Sequence, residues 1–361
     1  ISFLSFIQTC FLYINVVGFG ICKIMKNKLI LKFLILIGLL SILSFIILMK
    51  GSVTGSPQEI LNVFLKPDDT LLSQVFWELR FPRLITAILS GAAMACAGLL
   101  IQTYFENPLA DPYVLGIHSG SSLLVTLVMI GGGSSALGIL HSFGVVGASA
   151  LGALGTLLLL LSLFRFFPSR FMILVLGLIL GYFLGGIVSI IWAYSDANEL
   201  KNYFLWSLGS FSHTTGTDLK IFSFVVSLGL FCSLLMAKPL NLLLLGEEYA
   251  QSLGLQAKKT QWAIILLASL LSGAVTAFCG PIAFIGIIAP HAARLGFKKM
   301  DHRILIPATI LSGSVVALGA EVLSSLSEGR VFPVNAILSL LGFPWILFLL
   351  LTLKKGGNHE A

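Results

Sequence analysis

Residues 171–194 read FMILVLGLILGYFLGGIVSIIWAY, without one charged side chain. A helix rises about 1.5 Å per residue and the hydrocarbon of a bilayer is about 30 Å thick, so about 20 apolar residues cross it. This run is long enough to do so. Working outward, further apolar runs bounded by charge, Pro or Gly fall near 29–49, 84–104, 113–131, 142–164, 219–237, 262–279, 281–292, 304–324 and 335–353. With the first they make ten. The run at 281–292 is too short to span alone and is expected to be a half-helix, tolerated because protein surrounds it. The fold class is therefore an all-α polytopic membrane protein with about ten transmembrane helices per subunit, one of them short.

Composition agrees. Of 361 residues 57% are hydrophobic and 10% charged, against about 25% charged in an ordinary soluble domain. A soluble fold is excluded, and the short loops leave no room for a separate soluble domain of about 100 residues. The net charge of +7 points to topology instead of nucleic acid, because Lys and Arg of membrane proteins collect on the cytoplasmic side. With both termini placed inside, fifteen of the 22 Lys and Arg are cytoplasmic, among them Lys28, Lys32, Lys258, Lys259, Lys298, Lys299, Lys354 and Lys355. Seven remain outside, including Arg80, Arg83 and Arg330. An apolar stretch to Cys22 precedes Met25-Lys26-Asn27-Lys28, which reads as a natural start. Residues 1–24 are thus expected to be a non-native or loosely attached extension, and 25–361 a single transmembrane domain.

The five cysteines sit in apolar segments without CxxC spacing or a neighbouring His, so no metal site is expected and they read as packed or lipid-facing thiols. Gly177, Gly181 and Gly185, and also Gly147, Gly152 and Gly155, place small residues at helical spacing, which lets a neighbouring backbone approach. Ion-coupled carriers place titratable groups deep in their helices. Here the acidic residues fall in or beside loops, with Glu321 the nearest to an exception. No GxxxxGK[ST] phosphate loop occurs, so the chain is expected not to be an enzyme and to take its energy from a partner.

Two segments carry the functional reading. Residues 242–261, LLLLGEEYAQSLGLQAKKTQ, form the longest cytoplasmic loop. Gly246 starts a short helix, Glu247 and Glu248 lie at its positive end, and Gly254 stops it. Tyr249 and Leu253, four apart, share a face suited to a partner's groove, or else the helix lies on the membrane surface. Arg80-Phe81-Pro82-Arg83 stands at the outer entrance of the second run. These arginines either snorkel to the boundary or dock carboxylates of a soluble partner.

RFPR at 80–83, SGAAMACAGLLIQ at 90–102, ENPLADPYVLGIHSGSSL at 106–123, LWSLGSF at 205–211, LGEEYAQSLGL at 245–255, GPIAFIGIIAPHAARL at 280–295 and LGFPWILFLLL at 341–351 together resemble the FecCD-type permeases of ATP-binding-cassette importers for iron-siderophores, haem and cobalamin. The resemblance runs from about Lys28 to Lys355. It implies a BtuC-like fold, a homodimer around one central path, two ATPase subunits below that bind ATP and Mg, and a periplasmic or lipid-anchored binding protein above. It implies no cofactor bound by this chain. By similarity Gly246, Glu247, Glu248, Tyr249, Ala250, Leu253, Gly254 and Leu255 are the coupling helix in the ATPase groove, and Arg80 and Arg83 face the binding protein. Where many members carry Asp and then Arg beyond the ninth helix, this chain has Glu321 and Ser325. Where Glu-Leu-Pro usually opens the tenth it has Val331-Phe332-Pro333, so the third docking arginine is not carried over and Arg330, close by, is the candidate substitute.

Gln102, Asn107, Pro108 and Asp111 mark a helix end and a broken turn, where they either satisfy freed backbone groups or contact substrate. His291 and Arg294 share a face at the inner end of the eighth helix, where capping accounts for them. His118 titrates near neutrality when exposed, but a lone His is more often packed. The expected function is ATP-driven import of a bulky iron complex or cobalamin by alternating access. The rivals are an oxyanion such as molybdate, and an ATP-independent carrier.

Overall fold

A computed structural model describes residues 28–50, 56–65, 68–130, 144–163, 166, 170–325 and 332–357. The extension 1–24 and Arg330 lie outside the described residues. All regular structure among the described residues is helical: α1 (Lys28–Met49), α2 (Pro57–Leu65), α3 (Leu71–Val75), α4 (Phe81–Phe105), α5 (Ile117–Ile130), α6 (Gly144–Leu163), α7 (Arg170–Ala193), α8 (Ala197–Ser207), α9 (Gly216–Leu235), α10 (Ala237–Leu243), α11 (Glu247–Ser252), α12 (Ala257–Cys279), α13 (Ile285–Phe297), α14 (His302–Ser324) and α15 (Val334–Gly357). Each of the ten apolar runs overlaps one of these helices. Among the described residues seven are long and apolar enough to cross a membrane, while α5 and the apolar stretch Val334–Leu349 of α15 are shorter and α13, the expected half-helix, has 13 residues.

Of the boundaries that differ from the sequence reading, three have a clear physical reason. The second run does not begin at 84: the helix starts at Leu71 and continues through a π-helical turn, Phe76–Arg80, into α4. The hydropathy signal misses this extension because it carries Glu78 and Arg80. The half-helix starts at Ile285, not Pro281, because Gly280 (φ 75°) and Phe284 (φ 69°) hold left-handed backbone that interrupts it. It then runs to Phe297, where Lys298 caps it by donating its N–H to the Arg294 carbonyl at 2.8 Å. The short α2 and α8 escape hydropathy but carry start signals. Ser56 and Glu59 exchange capping-box bonds before α2, with Ser56 N–H to Glu59 Oε2 at 2.8 Å, and Asp196 with Glu199 does the same before α8.

In lipid the hydrophobic effect does not draw helices together, so close packing has to. The most hydrophobic windows of the α3–α4 helix, α12 and α14 are 83%, 72% and 61% buried, against 6%, 17% and 22% for α1, α7 and α9. The first three are the core and the others the rim. At its centre α4 and α14 run antiparallel. Gly91 and Gly313 meet so closely that a methyl group on either would strike the other's carbonyl oxygen, and Ser314 Oγ donates to the Ile88 carbonyl at 3.0 Å. Gly98 meets Gly286 of α13 as closely, and Gly120 of α5 meets Gly152 of α6. Of the glycine stripes in the sequence, Gly152 lies at such a contact and Gly181 at an ordinary one, against Ser119 and Gly116. Gly155 and Gly185 have no atom within 4 Å of where a side chain would begin.

Freed backbone groups at the break before α13 find partners in neighbouring elements. The Cys279 carbonyl accepts the Ser210 N–H at 2.8 Å, and Asn335 Oδ1 accepts the Ala283 N–H at 3.3 Å. This is how irregular backbone survives inside a membrane protein. Cys96 and Cys279 are buried free thiols and Cys232 is half-buried.

Candidate functional site

Two ends of the α4–α14 pair carry polar chemistry. At one end lie Arg83 and Glu321. The Arg83 guanidinium pairs directly with Glu321 Oε1, and the side chains are 27% and 2% exposed. The carboxylate is thus sealed in the protein while the arginine keeps a flank toward the surface. Arg80, three residues earlier, is buried, and its Nη1 donates to the Leu48 carbonyl at 2.7 Å, in the last turn of α1. A cation at a helix C-terminus is favourable for the exposed carbonyls there. In this arrangement the Arg80 side chain is turned inward onto α1, while Arg83 keeps an exposed flank.

The opposite end holds the loop helix. α11 covers Glu247–Ser252, with Glu247 and Glu248 in its first turn, Gly246 before it at φ 93° and Gly254 after it at φ 90°. Both angles are left-handed and favour glycine. Ala250 is fully buried and its carbonyl accepts the Leu255 N–H at 3.0 Å, which closes the turn. Tyr249 and Leu253 are 58% and 53% exposed, with Leu244 and Leu245 exposed beside them. The helix stands by its Ala250 side and presents apolar side chains outward.

Between the ends, the turn joining α4 to α5 folds back into the packed interior, as Gly116 touching Gly177 and Gly181 of α7 shows. Asn107 Oδ1 accepts the Leu109 N–H at 2.9 Å beside Pro108, and Asp111 Oδ1 accepts the Tyr113 N–H at 2.8 Å, capping the 3-10 turn Pro112–Leu115. Asp111 Oδ2 is buried without a partner and faces the first turn of α13, where a methyl group on Gly286 would lie 3.1 Å from it. Gln102 Nε2 donates to the Gly286 carbonyl at 2.9 Å and Gln102 Oε1 accepts from Arg294 Nη1 at 2.6 Å. Arg294 therefore reaches across to α4 and does not cap its own helix, which ends later than the sequence suggested. His291 Nε2 is buried without a hydrogen bond, and its ring stands edge-on to Trp345 at 6.2 Å. His118 stacks against Tyr113 at 3.8 Å.

The sequence reading missed Thr103, Asn241, Asp301 and His302, which meet at the α11 end. Asp301 caps α14, accepting the Arg303 N–H at 3.0 Å. That bond, with the Asn241 amide, holds the Asp301 carboxyl below its ordinary value. The available signal was Asp301-His302-Arg303, an N-cap residue opening an apolar run. Among the described residues no group of three or more His, Cys, Asp or Glu is arranged to hold a metal.

Comparison with known proteins now bears on this arrangement. The family model described as the FecCD transport family matches residues 39–352. The haemin transport system permease HmuU of Yersinia pestis is 34% identical over 284 residues, 78% of this chain and 84% of that protein. The molybdate import permease MolB of Haemophilus influenzae is 34% identical over 81% of this chain and 85% of its own length. The vitamin B12 import permease BtuC of Klebsiella pneumoniae is 32% identical over 78% and 83%. A solved structure titled an inward-facing conformation of a metal-chelate type ABC transporter superposes with a TM-score of 0.75 at 30% identity, covering 91% of this chain and 99% of that one.

Proposed function

The chain belongs to the FecCD transport family, and from that premise we propose that this importer permease moves a bulky iron complex, a ferric siderophore or haem, or cobalamin, toward the cytoplasm by ATP-driven alternating access. Two copies surround one path. A pair of ATPase subunits binds ATP and Mg beneath them, and a periplasmic or lipid-anchored binding protein delivers cargo from above. The protein lies in the inner membrane of a bacterium with both termini cytoplasmic, as the positive-inside rule requires.

The observation that carries the ATPase reading is the apolar face of α11. Tyr249 and Leu253 stand exposed on a loop helix where no lipid-spanning segment explains them, and such a patch marks a protein partner. Each chain offers this helix once, so a pair of ATPases takes two chains. Arg83 is the first candidate for the binding protein, its carboxylate-matching fork held in place by Glu321. Arg80 and Arg330 are the other candidates that the sequence offers.

The cargo class follows from charge. A helix N-terminus is a natural anion seat, and α13 offers one inside the protein. The Asp111 carboxylate already faces it, which disfavours a small oxyanion there and favours a large ligand held by shape and apolar contact. The molybdate reading stays in view because of the relative named for molybdate import. An ATP-independent carrier is a weaker rival, because few titratable groups lie inside and both interior arginines of the α4 contacts are engaged, Arg83 with Glu321 and Arg294 with Gln102.

The test is uptake into proteoliposomes holding this chain with its ATPase and binding protein. Ferric siderophore, haem, cobalamin and molybdate are compared in one assay, with and without ATP. Transport of molybdate alone would overturn the cargo class, and transport by the chain without ATP would overturn the energy source. Removing residues 246–255 is expected to abolish co-purification of the ATPase.

A further inference from the structure

α10 leads into α11 through Leu244–Gly246, and one side chain of α10 joins it to the centre of the protein. Asn241 Nδ2 donates to Asp301 Oδ1 at 2.6 Å, and Asn241 Oδ1 accepts the His302 backbone N–H at 2.8 Å. The same Oδ1 lies 2.8 Å from His302 Nδ1, and His302 Nε2 lies 3.0 Å from Thr103 Oγ1 on α4. Thr103 Oγ1 is also 2.9 Å from the Leu99 carbonyl. His302 is 1% exposed.

The chemistry fixes most of the protons. Asp301 ionised only accepts, so the Asn241 amide must turn its NH₂ toward it and its oxygen toward His302. Nδ1 of His302 must then carry hydrogen. Nε2 is satisfied either way: unprotonated it accepts the Thr103 hydroxyl, and protonated it donates to Thr103, whose hydroxyl turns to the Leu99 carbonyl. The connection from α10 through the start of α14 to the end of α4 is thus complete in both protonation states of the histidine. Asn241 lies in α10 five residues before Gly246, so it sits next to the segment the ATPase moves.

We infer that Asn241, His302 and Thr103 form the link that carries displacement of α11 into the α4–α14 pair. They are positioning residues for transport and not ligands of the cargo. The inference rests on α11 being the ATPase contact. The physical reason is that Thr103 and His302 are buried and Asn241 half-buried, and polar groups shielded from water are costly to release without partners, so a push on α10 and α11 is passed on through intact bonds. The α4–α14 pair, locked at Gly91 and Gly313, then moves as one piece.

The experiment uses the complex purified with its co-expressed ATPase, spin-labelled at Ser252→Cys on α11 and Leu323→Cys at the far end of α14. Labelled chains are diluted with unlabelled ones so that distances within one chain are read, with and without ATP and vanadate. In the otherwise native chain the distance is expected to stay constant, because α11 and α14 travel together. In Asn241→Leu and His302→Phe it is expected to shift by at least ~2 Å, or to broaden, when nucleotide is added. Thr103→Val, which removes a hydroxyl at constant shape, tests the same link should those variants fold poorly, and Thr103→Ser restores the native behaviour. A nucleotide-dependent shift already present in the native chain overturns the link, and so does constancy in all three variants. Failure of the underlying reading shows separately, as ATPase that still co-purifies after Tyr249→Ala with Leu253→Ala.

Discussion

Removing Arg83 should destabilise the protein far more than removing Glu321, although the two are partners in one ion pair. The asymmetry comes from their surroundings. Arg83→Ala strands a carboxylate whose side chain is 2% exposed and whose second oxygen already lacks a partner, and breaking a buried pair in this way costs about 3–5 kcal/mol. Glu321→Ala leaves a guanidinium that is 27% exposed and can turn its free flank outward, so solvent screening reduces that loss to about 1 kcal/mol. The double variant no longer contains the stranded charge and should lose little more than Glu321→Ala alone, giving a coupling energy of about 3–5 kcal/mol in a double-mutant cycle. Arg83→Met with Glu321→Leu, which refills the space with apolar atoms, should lie within about 1 kcal/mol of the native chain. For a chain of this length each kcal/mol moves the melting temperature by about 2 °C or less. The expected losses are therefore about 5–8 °C for Arg83→Ala and about 2 °C for Glu321→Ala, read as folded protein surviving heating in detergent by fluorescence size exclusion. Equal losses in the single variants, or strict additivity in the double, would refute the reasoning.

Further outcomes follow from contacts elsewhere. Gly313→Ala should cost about 1–3 kcal/mol by overpacking, since its new methyl meets the Gly91 carbonyl and Ala95 Cβ. Gly319→Ala, on the same helix with nothing within 4 Å, should be neutral or slightly stabilising in the same melt. Gln102→Leu leaves the Arg294 guanidinium and the Gly286 carbonyl without their bonds and should lose about 2–4 kcal/mol, whereas Gln102→Glu keeps the arginine partner and should lose less. Asp301 is held below its ordinary value in the folded chain, so its stabilisation is fully present above the unfolded value of about 3.9 and is lost as pH falls through the folded value. Melting curves should therefore show no Asp301-dependent slope between pH 5 and 8, and Asp301→Asn should remove part of the loss seen below pH 4.

Hydropathy made the ten helices legible, because a bilayer imposes one length and one polarity on whatever crosses it. Residues 171–194 sufficed to choose the class. The helix around Glu247–Ser252 was legible from Gly246 and Gly254, whose backbone angles few other residues adopt. What stayed hidden was pairing across long separations. Arg83 and Glu321 lie 238 positions apart, and each is only an oddity in sequence, an arginine on the wrong side and an acid in a span. Together the two oddities explain one another, and that was the signal available. The earlier start at Leu71 was hidden because Glu78 and Arg80 interrupt the apolar pattern, and their tolerance depends on partners that only the fold supplies. Thr103, Asn241 and His302 gave no local sign of their meeting.

The antiparallel pair at the centre is fastened near both ends, at Arg83 with Glu321 and at Thr103 with His302. Twenty residues of α4 separate these points, about 30 Å of helix, which is the thickness of the hydrocarbon itself. A helix free at its ends can meet a thinner membrane by tilting alone or by snorkelling its flanks. Two helices fastened in register cannot slide past one another to shorten the span. They have to lean together, or the lipid has to deform around them. The pair is in that sense a gauge block, and the importer's sensitivity to acyl-chain length should be set by the fastened core, with the loosely packed rim free to follow.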